Sequence, residues 1–484
     1  MKMQDIMKEL IIKFASEEND IAAFSLYDGD QAKDVVYQDF AKDILSAVAY
    51  FKKSGMQNQH IGIAAPNSYD WVVTFFAAIL SGNVAVLMNP ALPKDTLLWQ
   101  CEKADVSVVF SESDMAFDDQ EKSNVDMLTF KDITGMNPVS VEDVCSRDLD
   151  DTVVLMFTSG TTGKSKAVEI TLRNLYVCIY TMCFMREQEG TIDAPGAERV
   201  YFGYPMFHIA GLKVMLRALY QTATICMGRG IRYMFADFKM LNPTHISLVP
   251  MSVESAIKIM KQTDKVTRKA YFGDKLTRVS SGGAAMKIDV VNYLIEQGYT
   301  VETAYGMTET TGVGTWRVLD GTHIGSLGRI GGETQCRIQD GEILFKTAGI
   351  MKGYYKDPEE TSKIIEDGWI HTGDLGYCDE DGYYYITGRK KNVIILSNGE
   401  NVNPEEIEAR WGSCGAILEC LVYGDGKGIC ADVYTDDESA AADFIKQYNE
   451  GMPFYRQVYK VNYMKEPLEK TGTGKIKRKE NVYV

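Results

Sequence analysis

The sequence predicts an α/β protein with a large N-terminal domain of doubly wound sheets, a small β-barrel-like part, and a small α+β C-terminal domain. Three observations carry this prediction. Short apolar runs alternate with helical periodicity over residues 61–110 and recur near residues 245, 276 and 301. Glycines then punctuate short strand-like runs from Gly321 to Gly382, with little helical period. Past a basic Gly388-Arg389-Lys390-Lys391-Asn392 segment, short strands and helices mix over residues 392–484.

In chain order, Ile61–Ala65 reads as a strand, Tyr69–Leu80 as a helix, Val84–Met88 as a strand, Lys94–Lys103 as a helix and Val106–Phe110 as a strand. That order of short apolar runs and longer periodic ones is the signature of a parallel α/β layer. Val153–Phe157 is a further buried strand, and His245–Val249, Leu276–Ser280 and Val301–Tyr305 repeat the pattern. Asp381-Gly382, between Tyr377 and Tyr383-Tyr384-Tyr385, is a hairpin signal because the pair accepts positive φ. The basic segment after the hairpin is the expected boundary, giving domains 1–389 and 390–484. Asn403-Pro404-Glu405-Glu406 then reads as a helix start, with Asn at the N-cap, Pro at N1 and Glu at N3.

A chain of 484 residues exceeds one ordinary core, so two or more domains are expected. Apolar residues make up 45% and charged residues 24%, the profile of a globular protein. The net charge of −16 argues against nucleic acid and anionic membranes as partners. Any polyanion must therefore be held by a few placed cations. The longest apolar stretch, Trp71–Leu80 and then Val84–Met88, breaks at Ser81-Gly82-Asn83, too early for a membrane span. Ten cysteines without a C-x-x-C pair, and no secretory apolar region at the start, fit a reducing cytoplasm.

Those cations are found in Thr158-Ser159-Gly160-Thr161-Thr162-Gly163-Lys164-Ser165-Lys166, directly after the apolar run Val153–Phe157. Small residues let successive N–H groups turn toward one anion, hydroxyls add donors and lysines add compact charge, so the run reads as a polyphosphate loop. A plain surface turn fits the same composition. The nucleoside-triphosphatase P-loop does not, because it requires glycine five positions before Gly163, where Thr158 stands.

Four motifs follow the loop in order: Tyr305-Gly306-Met307-Thr308-Glu309, Thr372-Gly373-Asp374-Leu375-Gly376, Gly388-Arg389-Lys390-Lys391 and Thr471-Gly472-Thr473-Gly474-Lys475-Ile476. Together with the loop they resemble the adenylate-forming superfamily of acyl- and aryl-CoA synthetases, peptide-synthetase adenylation domains and luciferases, over nearly the whole chain from Tyr37 to Arg478. The resemblance implies that an acid reacts with ATP to give an acyl-adenylate and pyrophosphate, after which the thiol of CoA displaces AMP. It assigns the β- and γ-phosphates to the loop, Mg²⁺ to Glu309 beside Thr308, and the adenine slot to Gly282-Gly283-Ala284 with Tyr305 and Gly306. It further assigns the ribose hydroxyls to Asp374 with Arg389, and the meeting of substrate carboxylate and α-phosphate to Lys475. By the same resemblance Lys391 is the hinge on which a mobile C-terminal domain swings, and Gly399 leaves room for the pantetheine arm.

Phe207-His208-Ile209-Ala210-Gly211 falls where relatives place an aromatic residue and then a substrate-selecting position. Amino-acid-activating members carry aspartate there, so His208 implies a different acid. The neighbouring Val249-Pro250-Met251 and Thr310–Trp316 are mostly apolar or small, which points to an apolar or aromatic carboxylic acid. Departures from the family pattern are Ser165 and Ala167 around Lys166, and Glu469 in place of proline, which is expected to loosen the approach to Lys475. Leu418–Asp436 is short for the family and the chain ends soon after Arg478, so adenylation is carried further than thioester formation. Two other readings stay open: an enzyme that loads a carrier protein's phosphopantetheine thiol, and a non-catalytic nucleotide or acyl-adenylate sensor.

Overall fold

Two sheets organise the first part of the chain. One has nine strands in the order Arg329–Ile330, Gly314–Leu319, Thr300–Gly306, Arg278–Gly282, His245–Leu248, Arg199–Phe202, Thr224–Cys226, Ala22–Asp28 and Gln31–Val36. Its six strands from Thr300–Gly306 to Ala22–Asp28 are parallel. The other has seven, in the order Gly353–Tyr354, Lys166–Thr171, Thr152–Thr158, Val84–Leu87, His60–Ala64, Val106–Ser111 and Asp126–Thr129. All but the first two are parallel. The structure is a computed structural model and describes residues 5–16, 20–112, 125–133, 135–158, 165–263, 271–283, 286–396, 400–470 and 476–479.

Parallel sheets carry cover on both faces, so their strands are apolar without alternation. Val84–Leu87 is buried at every position, and helix Tyr69–Leu80 is buried continuously from Trp71 to Leu80. Ser68 caps that helix by accepting the N–H of Trp71 at 3.1 Å. No helix among the described residues is long and apolar enough to cross a membrane.

The strand expected at Leu276–Ser280 runs instead from Arg278 to Gly282. Arg278 can enter a buried strand because it forms ion pairs with Asp193 at 2.7 Å and Glu302 at 3.1 Å. It belongs to a buried cluster in which Glu198 also meets Arg186 at 3.1 Å, His245 at 2.9 Å, and Arg217. Burial alone would raise the Glu198 carboxyl, but Arg217, His245 and Arg186 hold it well below its ordinary value.

The glycine-punctuated stretch is shared out. Arg329–Ile330 and Gly353–Tyr354 extend the two large sheets, and the remainder forms a sheet of Gln335–Gln339, Glu342–Lys346, Trp369–Cys378 and Ile365–Glu366, with Tyr384–Arg389 also on Trp369–Cys378. The hairpin turn closes with Asp379 N–H bonded to the Tyr383 carbonyl at 2.9 Å.

Contacts divide the chain into one unit of residues 1–335 with 345–370 and another of 336–344 with 371–484. This division groups the hairpin with the C-terminal residues, whereas the boundary expected at Arg389/Lys390 concerns a swing. In the second unit, strands Glu419–Gly424, Ile429–Tyr434 and Val458–Met464 and helices Pro404–Trp411 and Glu438–Glu450 share a core of Trp411, Val422, Ala431, Val433, Ala441 and Ile445. Asn403 stands at the N-cap of the first helix, as expected, but its side chain does not cap; its amide turns to the Glu406 carboxylate at 3.4 Å.

Candidate active site

Strands Thr300–Gly306, Arg278–Gly282, His245–Leu248 and Arg199–Phe202 are adjacent and parallel, so their carboxyl ends open on one edge of the first unit. Beyond those ends come Met307-Thr308-Glu309, Gly283, Val249-Pro250-Met251 and Phe207-His208. Open α/β sheets bind ligands outside the carboxyl ends of their strands. Gly282 is the register partner of Ala304, beside Tyr305. The buried Tyr204 phenol ties these ends together: it donates to Leu248 O at 2.7 Å and accepts Gly282 N–H at 2.8 Å. Gly283 has φ +82°, a conformation that favours glycine, and a Cβ placed there would meet nothing within 4 Å. That edge is therefore open to a flat group lying against backbone.

Thr158 ends its strand as the register partner of Lys166, which begins the neighbouring antiparallel strand. Ser159, Gly160, Thr161, Thr162, Gly163 and Lys164 lie outside the described residues, as do Ala284, Gly399 and Lys475. The Lys166 amine lies 4.8 Å from the Tyr354 ring centre and is hydrogen-bonded to Glu360. Those bonds, from Lys166 first and then Lys363, hold the Glu360 carboxyl at about 2. The Tyr354 hydroxyl donates to Glu309 Oε1 at 2.9 Å, and the two residues are only 7% and 9% exposed. Burial, then the charge of Glu309, pushes the Tyr354 phenol far above its ordinary value, so it remains a donor. Beside them a cavity of about 200 Å³ is lined by Trp99, Lys103, Lys166, Tyr354, Asp357 and Glu360. Tyr354 carried no signal in the sequence, because a tyrosine in a glycine-rich strand reads as packing.

His208 is the N-cap residue of helix Ile209–Tyr220, half-buried, with its ring centre 4.8 Å from that of Phe207. Asn67 holds the preceding segment, donating to Tyr204 O at 2.8 Å and accepting Met206 N–H at 2.7 Å. Gly211 completes the Phe-His-x-x-Gly pattern for a steric reason: a Cβ there would stand 2.3 Å from the Pro205 carbonyl oxygen. Two residues on, Lys213 sends its amine to the Gly312 carbonyl at 3.2 Å. A lone lysine in an apolar helix belongs to no motif, so Lys213 carries no signal in the sequence.

In the second unit, Asp374 and Arg389 are register partners across the hairpin. Arg389 Nε meets Asp374 Oδ1 at 2.6 Å and Nη2 meets Oδ2 at 3.4 Å, while the carboxylate is only 3% exposed. Glu342 braces the turn from below, accepting Gly373 N–H and Lys390 Nζ, both at 2.9 Å. Lys391, in the turn Lys390–Asn392, has its ammonium held below the usual lysine value by burial and then by Arg389 and Arg478.

The segment containing Lys475 is bracketed by a bridge between Lys470 and Ile476 and by Lys477 N–H on Glu469 O at 2.8 Å. Lys470 pairs with Glu419 at 2.5 Å, and Arg478 with Glu408 at 2.5 Å and Glu405 at 3.2 Å. Glu469, in place of the family's proline, bonds the Lys477 amine; the approach to Lys475 itself lies outside the described residues. The Glu469 carboxylate supplies the cross-link that a proline could not.

The family profile of AMP-binding enzymes matches residues 13–355. A 2-succinylbenzoate–CoA ligase of Geobacillus sp. (strain WCH70) is 28% identical over 478 residues, covering 94% of this chain and 93% of its own. The o-succinylbenzoate CoA synthetase of Bacillus subtilis, in complex with its acyl-adenylate intermediate, has TM-score 0.83 at 22% identity, with 98% of this chain and 97% of that one covered. In complex with ATP and magnesium ion the Bacillus subtilis enzyme gives TM-score 0.82 at 23% identity, covering 96% and 98%. The α/β architecture expected from the sequence is thus shown.

Proposed function

As the chain belongs to the family of AMP-binding enzymes, we propose that it activates a carboxylic acid with ATP and transfers the acyl group to the thiol of CoA. The observation that carries this reading is the convergence of Gly282-Gly283, Tyr305-Gly306, Glu309 and His208 at the carboxyl ends of adjacent parallel strands. In the first step a carboxylate oxygen attacks the α-phosphorus and the bond to pyrophosphate breaks. In the second, the CoA sulfur attacks the acyl carbon and AMP leaves.

Each residue has a task in that sequence. Thr158, Lys166 and the run between them hold the β- and γ-phosphates, where positioning and charge do most of the work. The adenine lies against Gly282-Gly283-Ala284 and Tyr305, with Gly306 and Thr308 beside it. Asp374 and Arg389 hold the ribose, and Lys475 lets two anions approach. Magnesium favours one or two carboxylates plus phosphate oxygens, and Glu309 fits. Its Oε1 is fixed by Tyr354, while Oε2 accepts no hydrogen bond from the described residues. Residues 390–484 swing about Lys391 between the half-reactions, with Gly399 clearing the pantetheine path. His208 borders an acid with an apolar or aromatic body, and 2-succinylbenzoate, named for the Geobacillus relative, is the first acid to test. All ten cysteines are free thiols, which supports a reducing cytoplasm.

The test is acid-dependent ATP–pyrophosphate exchange across fatty, aryl, succinylbenzoate and amino acids, followed by CoA-dependent AMP release. Lys475→Ala should abolish exchange, by more than about a hundredfold, and leave ATP binding largely intact. Equal loss of ATP binding would remove the bridging role. Acylation of a carrier protein but not of CoA would replace the acceptor, and no turnover with any acid would leave only a sensor.

A further inference from the structure

Lys166, the cation proposed to meet the phosphates, already has an anion. Its amine is hydrogen-bonded to Glu360 and stands 4.8 Å from the ring centre of Tyr354. One stretch of chain builds this seat. Strand Gly353–Tyr354 lies antiparallel to Lys166–Thr171, with Tyr354 opposite Val168. The short helix Pro358–Ser362 then folds back onto that strand: Thr361 Oγ1 accepts Tyr354 N–H at 2.9 Å and donates to Asp357 O at 2.8 Å. Asp357 caps the helix by accepting Glu360 N–H at 3.2 Å. Tyr354 and Glu360 are thereby both fixed at one ammonium.

What sets Glu360 apart is a second lysine. Lys166 meets its Oε2, and Lys363, one turn on, meets its Oε1 at 2.5 Å. The Lys166 and Glu360 side chains are 16% and 27% exposed, whereas Lys363 is 54% exposed. A shielded carboxylate that loses its partner is left with an uncompensated charge. Glu360 keeps Lys363 on its other oxygen, so the departure of Lys166 costs less. The adjoining cavity of about 200 Å³, bordered by Trp99 and Lys103, gives the amine room to turn. An ammonium neutralised by a carboxylate attracts phosphate less than a bare one. A competing partner lowers apparent affinity by the fraction of time it leaves the group free.

We propose that Glu360 is the resting partner of Lys166: the lysine passes from Glu360 to the phosphates as nucleotide binds and returns as pyrophosphate leaves. Glu360 is then a positioning residue that keeps the phosphates releasable. This rests on the adenylation reading and deepens it, since it assigns the competitor against which nucleotide must bind.

Calorimetric binding of Mg²⁺-ATP without any acid tests it. Glu360→Gln should tighten ATP by about three- to tenfold, the range between an exposed ion pair and a charge-assisted hydrogen bond. Lys363→Met leaves Glu360 to Lys166 and should weaken ATP by about twofold or more. Neither substitution should move the affinity in a Lys166→Met background, where the competition is gone. In exchange, Glu360→Gln should lower the KM values for ATP and pyrophosphate together. Loss of stability would not give opposite signs at two residues of one ion cluster. Should Glu360→Gln not fold, Lys363→Met and Glu360→Ala carry the same test. Unchanged or weaker ATP binding in the Glu360 variant would overturn the proposal while adenylation stands. An equal tightening in the Lys166→Met background would make Glu360 a repelling charge only, and would overturn it too. A wild-type protein that binds no ATP would remove the adenylation reading and this proposal with it.

Discussion

Tyr354→Phe removes one oxygen and tests whether Glu309 is a positioned ligand. The hydroxyl donates to Glu309 Oε1 at 2.9 Å, where the tyrosine is 7% and the glutamate 9% exposed. A hydrogen bond to a charged group is worth about 1.5–3 kcal/mol, or a factor of about ten to 150 in an equilibrium. The ring is kept, so the contact of Lys166 with its face, 4.8 Å from the centre, survives and the effect belongs to the hydroxyl. Loss of a group that orients a metal ligand typically lowers metal affinity about ten- to a hundredfold. ATP–pyrophosphate exchange measured against free Mg²⁺ should therefore show its midpoint moved up by about that factor, with the rate nearly restored at saturating Mg²⁺. There is also a pH signature. The folded phenol is held above its ordinary value, so its contribution to stability is complete below about pH 10, where an unfolded tyrosine titrates, and is lost as pH rises beyond it. The variant should lack that alkaline loss in urea titrations. An unchanged Mg²⁺ midpoint together with an unchanged stability profile would refute the reasoning.

Lys166→Met should raise the KM for ATP in exchange by about tenfold, as one charge-assisted contact to phosphate is lost; an unchanged KM would separate Lys166 from phosphate binding. The same variant removes the first of the two lysines that hold Glu360 at about 2, so the stability this carboxylate contributes above its unfolded value, and loses as pH falls toward 2, should shrink in acid titrations, with Lys363 keeping the remainder. Asp374→Asn should lower kcat/KM for ATP by about ten- to a hundredfold and reduce discrimination against an ATP analogue lacking both ribose hydroxyls, measured side by side with the wild type. Gly211→Ala forces a Cβ to 2.3 Å from a backbone carbonyl, and should lower stability by about 1–3 kcal/mol, read as a drop in the urea midpoint at constant slope.

The parts of the fold that were legible in the sequence are those whose burial is complete. Helices Tyr69–Leu80 and Lys94–Lys103 have the bounds expected of them, because caps and turn residues flank strongly periodic runs. The strand Arg278–Gly282 was displaced by two residues because an arginine is buried at its start, and only the distant Glu198, Asp193 and Glu302 make that possible. A charge that is neutralised 80 residues away leaves no local trace. The Asp381-Gly382 hairpin was legible because its turn chemistry is local, and it brought Asp374 and Arg389 into register.

The candidate site divides along the same line. Residues proposed to face a ligand sit on turns after strands, in motifs dense with glycine and hydroxyls, and these stand out against the apolar runs that deliver them. Residues that support the ligand-facing ones do not. Tyr354 fixes Glu309 from a two-residue edge strand 45 positions away, and Asn67 holds the segment before His208 across 137 and 139 positions. Lys213 is hidden for the opposite reason: its partner within the protein is a backbone carbonyl, which has no sequence signature at all.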